Sequence, residues 1–255
     1  MGPGILAPRR AAVLLAIGLF VVLPPGQWPA NPRAQAAVRS RTFPLDSTVG
    51  LTGRGVDIES VEYRGRSAVR LTELPAYLGD KMAIVDGVEF TDSTIDVLVA
   101  GMPAAGAVEG ARGFIGIAFR VRPDGRQLEC FYIRPTNGRA DDQLRRNHST
   151  QYVSHPDFPW QRLRQDAPGL YESHVDLEPG AWTALRITVS GTRARLYVHG
   201  ADQPALIVND LKLGKAGGGV ALWIGPGTEG YFSDLRIQPA SSLAPNPDRP
   251  APDLT

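Results

Sequence analysis

Thr183-Ala-Leu-Arg-Ile-Thr-Val-Ser190, then Gly191-Thr192, then Arg193-Ala-Arg-Leu-Tyr-Val198 is the stretch whose reading decides the fold. Leu185, Ile187 and Val189 point one way and Arg186 and Thr188 the other, the period of two that a strand with one buried face requires. Ser190-Gly191-Thr192 turns the chain, and Ala194, Leu196 and Val198 repeat the pattern on the way back. Two alternating runs around a short turn read as an antiparallel hairpin.

Working outward, the same alternation recurs while no long stretch carries helical periodicity. Strands are expected over 57–63, 67–72, 94–99, 113–121, 127–134, 183–189, 193–198, 205–208, 220–224 and 231–237. Most are bounded by Gly, Pro, Asp or Asn, the residues that permit tight turns. The 255-residue chain holds 28 Gly and 22 Pro, a proportion suited to strands and turns. About ten strands in one domain of about 200 residues predict an all-β sandwich or jelly roll of two antiparallel sheets.

The two ends read differently. Arg9 and Arg10 precede the apolar run Ala11–Leu23, and Ala34-Gln35-Ala36 offers small residues at a cleavage site. Residues 1–36 therefore read as a secretory signal peptide and residues 37–238 as the sandwich domain. The apolar run is shorter than the roughly 20 residues that span a bilayer, so no stable membrane span is expected after cleavage. Export places the protein in the periplasm or outside the cell. Residues 239–255, rich in Pro, Ser and Asp, read as a disordered tail.

Charge excludes some functions. The chain carries a formal +1, with 43% hydrophobic and 21% charged residues, which argues against a general nucleic-acid binder. Removing residues 1–36 takes away Arg9, Arg10 and Arg33 and no acid, leaving −2. Cys130 is the single cysteine, so no internal disulfide is possible; its setting, Leu128-Glu-Cys-Phe-Tyr-Ile133, suits a buried apolar thiol.

One segment breaks the rhythm. From Pro135 to Leu170 no strand is evident, and structureless loops beyond about 12–15 residues are uncommon in compact domains. Tyr152, Phe158 and Trp160 argue for order. Between Arg134 and Arg164 six arginines face Asp141, Asp142 and Asp157, a local excess of +3. A long, ordered, basic and aromatic loop over the sandwich is expected.

Two stretches carry a family resemblance. Trp182-Thr-Ala-Leu-Arg-Ile-Thr-Val189 with Arg193–Val198 resembles a strand pair of concanavalin A-like (laminin G-like) sandwich domains. Val220-Ala-Leu-Trp-Ile-Gly225 with Gly230-Tyr-Phe-Ser-Asp-Leu-Arg-Ile237 resembles the closing strands of that superfamily, the last piece being similar to the ending of bacterial 3-keto-disaccharide hydrolase-like domains. The resemblance covers about residues 40–238 and implies a concanavalin A-like jelly roll. It does not fix function, because lectins, glycanases, lyases and adhesion modules share this fold. The chain lacks the Glu-x-Asp-x-Glu arrangement of laminarinase-type glucanases, whose paired carboxylates attack and protonate the glycosidic bond.

Other motifs are negative. Gly225-Pro-Gly-Thr-Glu-Gly230 matches a dinucleotide fingerprint, but a strand follows where a helix is needed, so it reads as a hairpin turn. His148, His155, His174 and His199 show no zinc-type spacing, there is no Gly-x-Ser-x-Gly elbow, and neither metal nor cofactor is expected.

A binding site is therefore sought on the outer sheet beneath the loop. Alternation puts Arg120, Tyr132 and Arg134 outward. Tyr132, Tyr152 and Trp160 offer flat faces for a sugar ring, while Arg134, Asn137, Arg146, Asn147 and His148 offer polar forks; arginine can grip an acidic group in bidentate fashion. The expected partner is a glycan or small saccharide, an acidic one included, with His148 as general base if the protein is an enzyme. The competing expectation is a non-enzymatic adhesion or scaffold module of the cell envelope that binds a protein.

Overall fold

In a computed structural model that describes residues 1–2 and 40–239, the chain from Arg41 onward folds as two stacked antiparallel sheets. In chain order the elements are β1 (Arg41–Phe43), β2 (Leu51–Arg54), β3 (Val56–Tyr63), β4 (Arg66–Glu73), β5 (Lys81–Val85), β6 (Ser93–Pro103), β7 (Ile115–Val121) and β8 (Leu128–Ile133). A 3-10 turn (Pro135–Asn137), α1 (Gln143–Asn147), β9 (Thr150–His155), α2 (Trp160–Asp166) and β10 (Glu172–Ser173) follow. The chain ends with β11 (Thr183–Ser190), β12 (Arg193–Val198), β13 (Leu206–Val208), β14 (Gly219–Ile224) and β15 (Thr228–Pro239).

One sheet runs β13-β12-β11-β6-β15-β4-β3, with β1 also on β15, and the other runs β10-β9-β8-β7-β14-β5-β2. The inner faces interdigitate: Ile117, Phe119, Phe131 and Leu222 from the second sheet meet Val99, Ile187 and Phe232 from the first, all fully buried. This is the face-to-face packing of a β-sandwich, two inner faces sharing one core. The all-β, two-sheet expectation holds, and each of the ten expected strands forms. The expected antiparallel hairpin forms, with Leu185 facing Val198 and Ile187 facing Leu196.

Three expectations need correction. The stretch from Pro135 to Leu170 is not strandless: it contains β9, with α1 and α2 on either side. Five of the six β9 residues are buried, and polar Thr150, Gln151 and Ser154 are among them, so residue polarity does not mark the faces and the period of two cannot be read. Gly225–Gly230 does turn the chain tightly, but β14 and β15 lie in different sheets, so the turn is a crossover rather than a hairpin. Arg120 does not point outward. Its backbone is left-handed (φ 54°) and the facing strand slips register between Gly219 and Val220, a bulge that re-aims the side chain between the sheets.

The signal expected over residues 1–36 lies outside the described residues apart from the first two, as does the tail apart from Pro239, which closes β15. Among the described residues no helix is long and apolar enough to cross a membrane.

Candidate functional site

On the outer face of the second sheet, β7 presents Gly116 and Ala118 between the taller side chains of its neighbours. Gly116 pairs with Tyr132 of β8 on one side and Trp223 of β14 on the other. The two rings lean together above it with centroids 5.0 Å apart. A Cβ at position 116 would lie 2.7 Å from that of Tyr132 and 2.0 Å from the Phe131 carbonyl, so glycine is what permits this approach.

Trp160 forms the opposing wall. It opens α2 directly after Pro159, which suits a helix start because the missing N–H would be unpaired there anyway. One turn on, Arg164 stacks over the Trp160 ring at 4.6 Å and donates two hydrogen bonds (3.0 and 2.7 Å) to the buried Glu172 carboxylate. Trp160 stays 38% exposed. With Phe114, Tyr132 and Trp223 it lines a cleft of about 630 Å³. Such a mostly apolar cleft with a few convergent polar groups is the usual form of a small-ligand site.

The polar end of the cleft is built by Asp80, just ahead of β5, and His155, the last residue of β9. His155 Nδ1 lies 2.7 Å from Asp80 Oδ1, and Trp223 Nε1 donates to the same oxygen at 3.0 Å. Burial works to raise the Asp80 carboxyl, but the hydrogen bonds from His155 and Trp223, with the charges of His155 and Lys81, hold it below the ordinary carboxylate range. Asp80 is therefore ionised and only accepts, so a neutral His155 carries its proton on Nδ1 and leaves the Nε2 lone pair free. Lys81 lines the same wall.

The residues expected from sequence divide among five settings. Tyr132 and Trp160 meet at the cleft. Arg134 lies behind them, buried, 5.2 Å from the Tyr132 ring and 5.9 Å from that of Trp160. Its Nη2 donates to Tyr132 Oη and Gln151 Oε1, both at 3.0 Å. Burial, only partly opposed by Arg134, pushes the Tyr132 hydroxyl up to about 12.

Asn147 and His148 line an adjoining pocket of about 530 Å³ with Arg164 and Glu172. His148 Nε2 sits 3.2 Å from Glu172 Oε1. Burial and the positive charges of Arg164 and Arg134 hold the imidazole below its ordinary range, against the pull of Glu172. Arg146, on the same short helix, has a buried Nε without a hydrogen-bond partner among the described residues. Asn137 is internal bracing: it donates to the His148 carbonyl and accepts from Arg145.

Arg120 and Tyr152 correct the expectation of an outward site. Both face the interior, 1% and 0% exposed, and both bind Glu129. Asp80, Phe114, His155 and Trp223 were not among the expected site residues. Trp223 was readable, since Val220, Leu222 and Ile224 take the inner face of β14 and leave it outside. Among the described residues no three His, Cys, Asp or Glu side chains group as a metal site.

Comparison with solved structures bears on the fold. The carbohydrate-binding module CBM66 from Bacillus subtilis superposes with a TM-score of 0.52 at 12% identity, over 73% of this chain and 94% of that one. The architecture is a jelly-roll β-sandwich of two antiparallel sheets. A Bacillus subtilis protein of unknown function with a galectin-like fold gives 0.49 at 10% identity, covering 78% and 94% of the two chains. Domain 4 of the Geobacillus stearothermophilus arabinanase AbnA, solved with arabinotriose, gives 0.41 at 15% identity, covering 78% and 81%. No family model and no curated protein matches the chain.

Proposed function

We propose that this protein is an exported saccharide-binding module whose ligand lies in the Trp160–Trp223 cleft. The observation that carries the reading is the cleft itself: flat aromatic faces on two walls, suited to the C–H face of a sugar ring, and a charged acceptor at one end. Asp80 Oδ2 makes no hydrogen bond among the described residues and is the acceptor for a sugar hydroxyl. The fold likeness to a carbohydrate-binding module supports the reading, and residues 1–36, as a signal peptide, supply the route to the periplasm or the exterior.

An acidic saccharide fits best. Arg164 stacks on Trp160 and lines the adjoining pocket, where a ligand carboxylate or sulfate would meet its positive charge. Asn147, His148 and Arg146 extend the surface into the adjoining pocket. The ending similar to 3-keto-disaccharide hydrolase-like domains joins the module to carbohydrate processing.

The test is a glycan array followed by calorimetry with wild type and Trp160→Ala. Losing an aromatic anchor of this kind costs on the order of 2 kcal/mol, roughly 30-fold in Kd. Undiminished binding by the variant removes the cleft as the site. A specific envelope-protein partner with no glycan signal replaces the reading with the adhesion module.

A further inference from the structure

The cleft contains one group that saccharide binding does not need. Its polar lining is a single carboxylate, Asp80, together with Lys81, Gln161, the Tyr132 hydroxyl and His155. Asp80 is already committed to His155 and Trp223 through one oxygen. A base whose second nitrogen is held by a carboxylate, with its first nitrogen free at the edge of a binding cleft, is the orienting arrangement used for proton transfer. The Nε2 atom of His155 has no hydrogen-bond partner among the described residues, and its side chain is 21% exposed. His148 differs in place: it lines the adjoining pocket, with its Nε2 3.2 Å from Glu172 Oε1, and not this cleft.

We infer that His155 is a general base in this cleft, positioned by Asp80, and that the reaction is hydrolysis of an O-acyl ester on the bound saccharide. The inference rests on the saccharide reading above. Glycosidic cleavage asks for two carboxyl groups in separate roles, and the cleft supplies one, already engaged. Ester hydrolysis asks for a base that activates water and returns the proton to the departing oxygen, which one imidazole can do.

The step balances. His155 Nε2 takes a proton from water as the water oxygen bonds to the acyl carbon. The tetrahedral adduct then expels the sugar oxygen, which takes the proton back from Nε2. The products are a free sugar hydroxyl and a carboxylic acid, which ionises in neutral solution. Lys81, whose ammonium lies 3.4 Å from Glu73 Oε2, lines the same wall, and Val108, Ala111 and Pro226 provide an apolar seat for an acetyl methyl.

The test is acetate release from O-acetylated oligosaccharides by the purified protein, beside calorimetric binding of the same sugars without acetyl groups. His155→Gln is expected to lower kcat about 100-fold or more, the contribution typical of a positioned base. Asp80→Asn is expected to lower kcat and to displace the acid limb of the pH–rate profile, which a merely structural role would not move. His199→Gln, an exposed imidazole elsewhere, leaves the rate unchanged. Wild type that binds the sugars but releases no acetate, or release that survives His155→Gln, overturns the inference and leaves the binding reading standing. Wild type that binds no saccharide overturns both.

Discussion

Two carboxylates within the second sheet have similar partners and opposite fates. Glu129 points between the sheets, fully buried. It accepts from Arg120 Nη1 at 3.2 Å, from Tyr152 Oη at 3.0 Å and from the Leu213 N–H at 2.9 Å. Asp80 lies over the outer face and accepts from an imidazole and an indole, with room for a ligand beside it. The Glu129 carboxyl is pushed up by burial, which its three donors only partly offset. The Asp80 carboxyl is drawn down, because its donors outweigh a lesser burial. What separates them is one residue of strand parity: Glu129 and Tyr152 face in, Tyr132 and His155 face out. Inside, the carboxyl is taken up by Arg120, Tyr152 and the Leu213 N–H; outside, it is available for chemistry.

The largest effect expected from breaking this contrast is in the interior. Glu129→Ala strands the Arg120 guanidinium with two backbone carbonyls and Asp92 at 3.8 Å. Removing one member of a buried pair costs about 3–5 kcal/mol, measurable as a lower urea midpoint. A urea midpoint unchanged from wild type would show that the Glu129 carboxyl is not the brace described.

A smaller effect sharpens the contrast through pH. The lowered Asp80 carboxyl contributes stability that is fully present above the ordinary aspartate value of about 3.9 and is lost as pH falls through its folded value. The raised Glu129 carboxyl contributes stability that is present below its ordinary value of about 4.3 and is lost as pH rises through its folded value. The stability difference between wild type and Asp80→Asn therefore grows from acid toward neutral pH, while that between wild type and Glu129→Gln shrinks. Denaturation curves across this range would show slopes of opposite sign; a shared sign contradicts the assignment.

The smallest effect is expected on the outer face of the other sheet. Arg186 Nε pairs with Asp96 at 2.6 Å, with the arginine side chain 60% exposed. Arg186→Ala is expected to change stability by about 0.5 kcal/mol or less and to leave saccharide binding unaltered, because exposed pairs gain little against water and entropy. A larger loss would place a functional surface there as well.

Strands with one wet face were legible in the sequence, as at Thr183–Val198, since water contact keeps polar residues at every second position. β9 was not, because polar Thr150, Gln151 and Ser154 occupy buried positions, and β5 was not, because Lys81–Val85 has a single polar residue to mark a face. Of the residues expected from chemistry and position, Tyr132 and Trp160 line the candidate cleft together. Arg120 was misread for a local reason: a positive φ and a register slip reverse the face, and no residue type at position 120 announces either.

By itself the sequence determined the two-sheet class, the turn positions, the opening hairpin and the presence of aromatics with a local excess of arginine. These follow from near-neighbour periodicity and residue chemistry. Only the tertiary structure decided which of those groups meet. Asp80 and His155 lie 75 positions apart and touch because the segment ahead of β5 comes over the small residues of β7. Close packing across a sheet depends on register, bulges and missing side chains as at Gly116, and these are properties of the pairing rather than of any one segment.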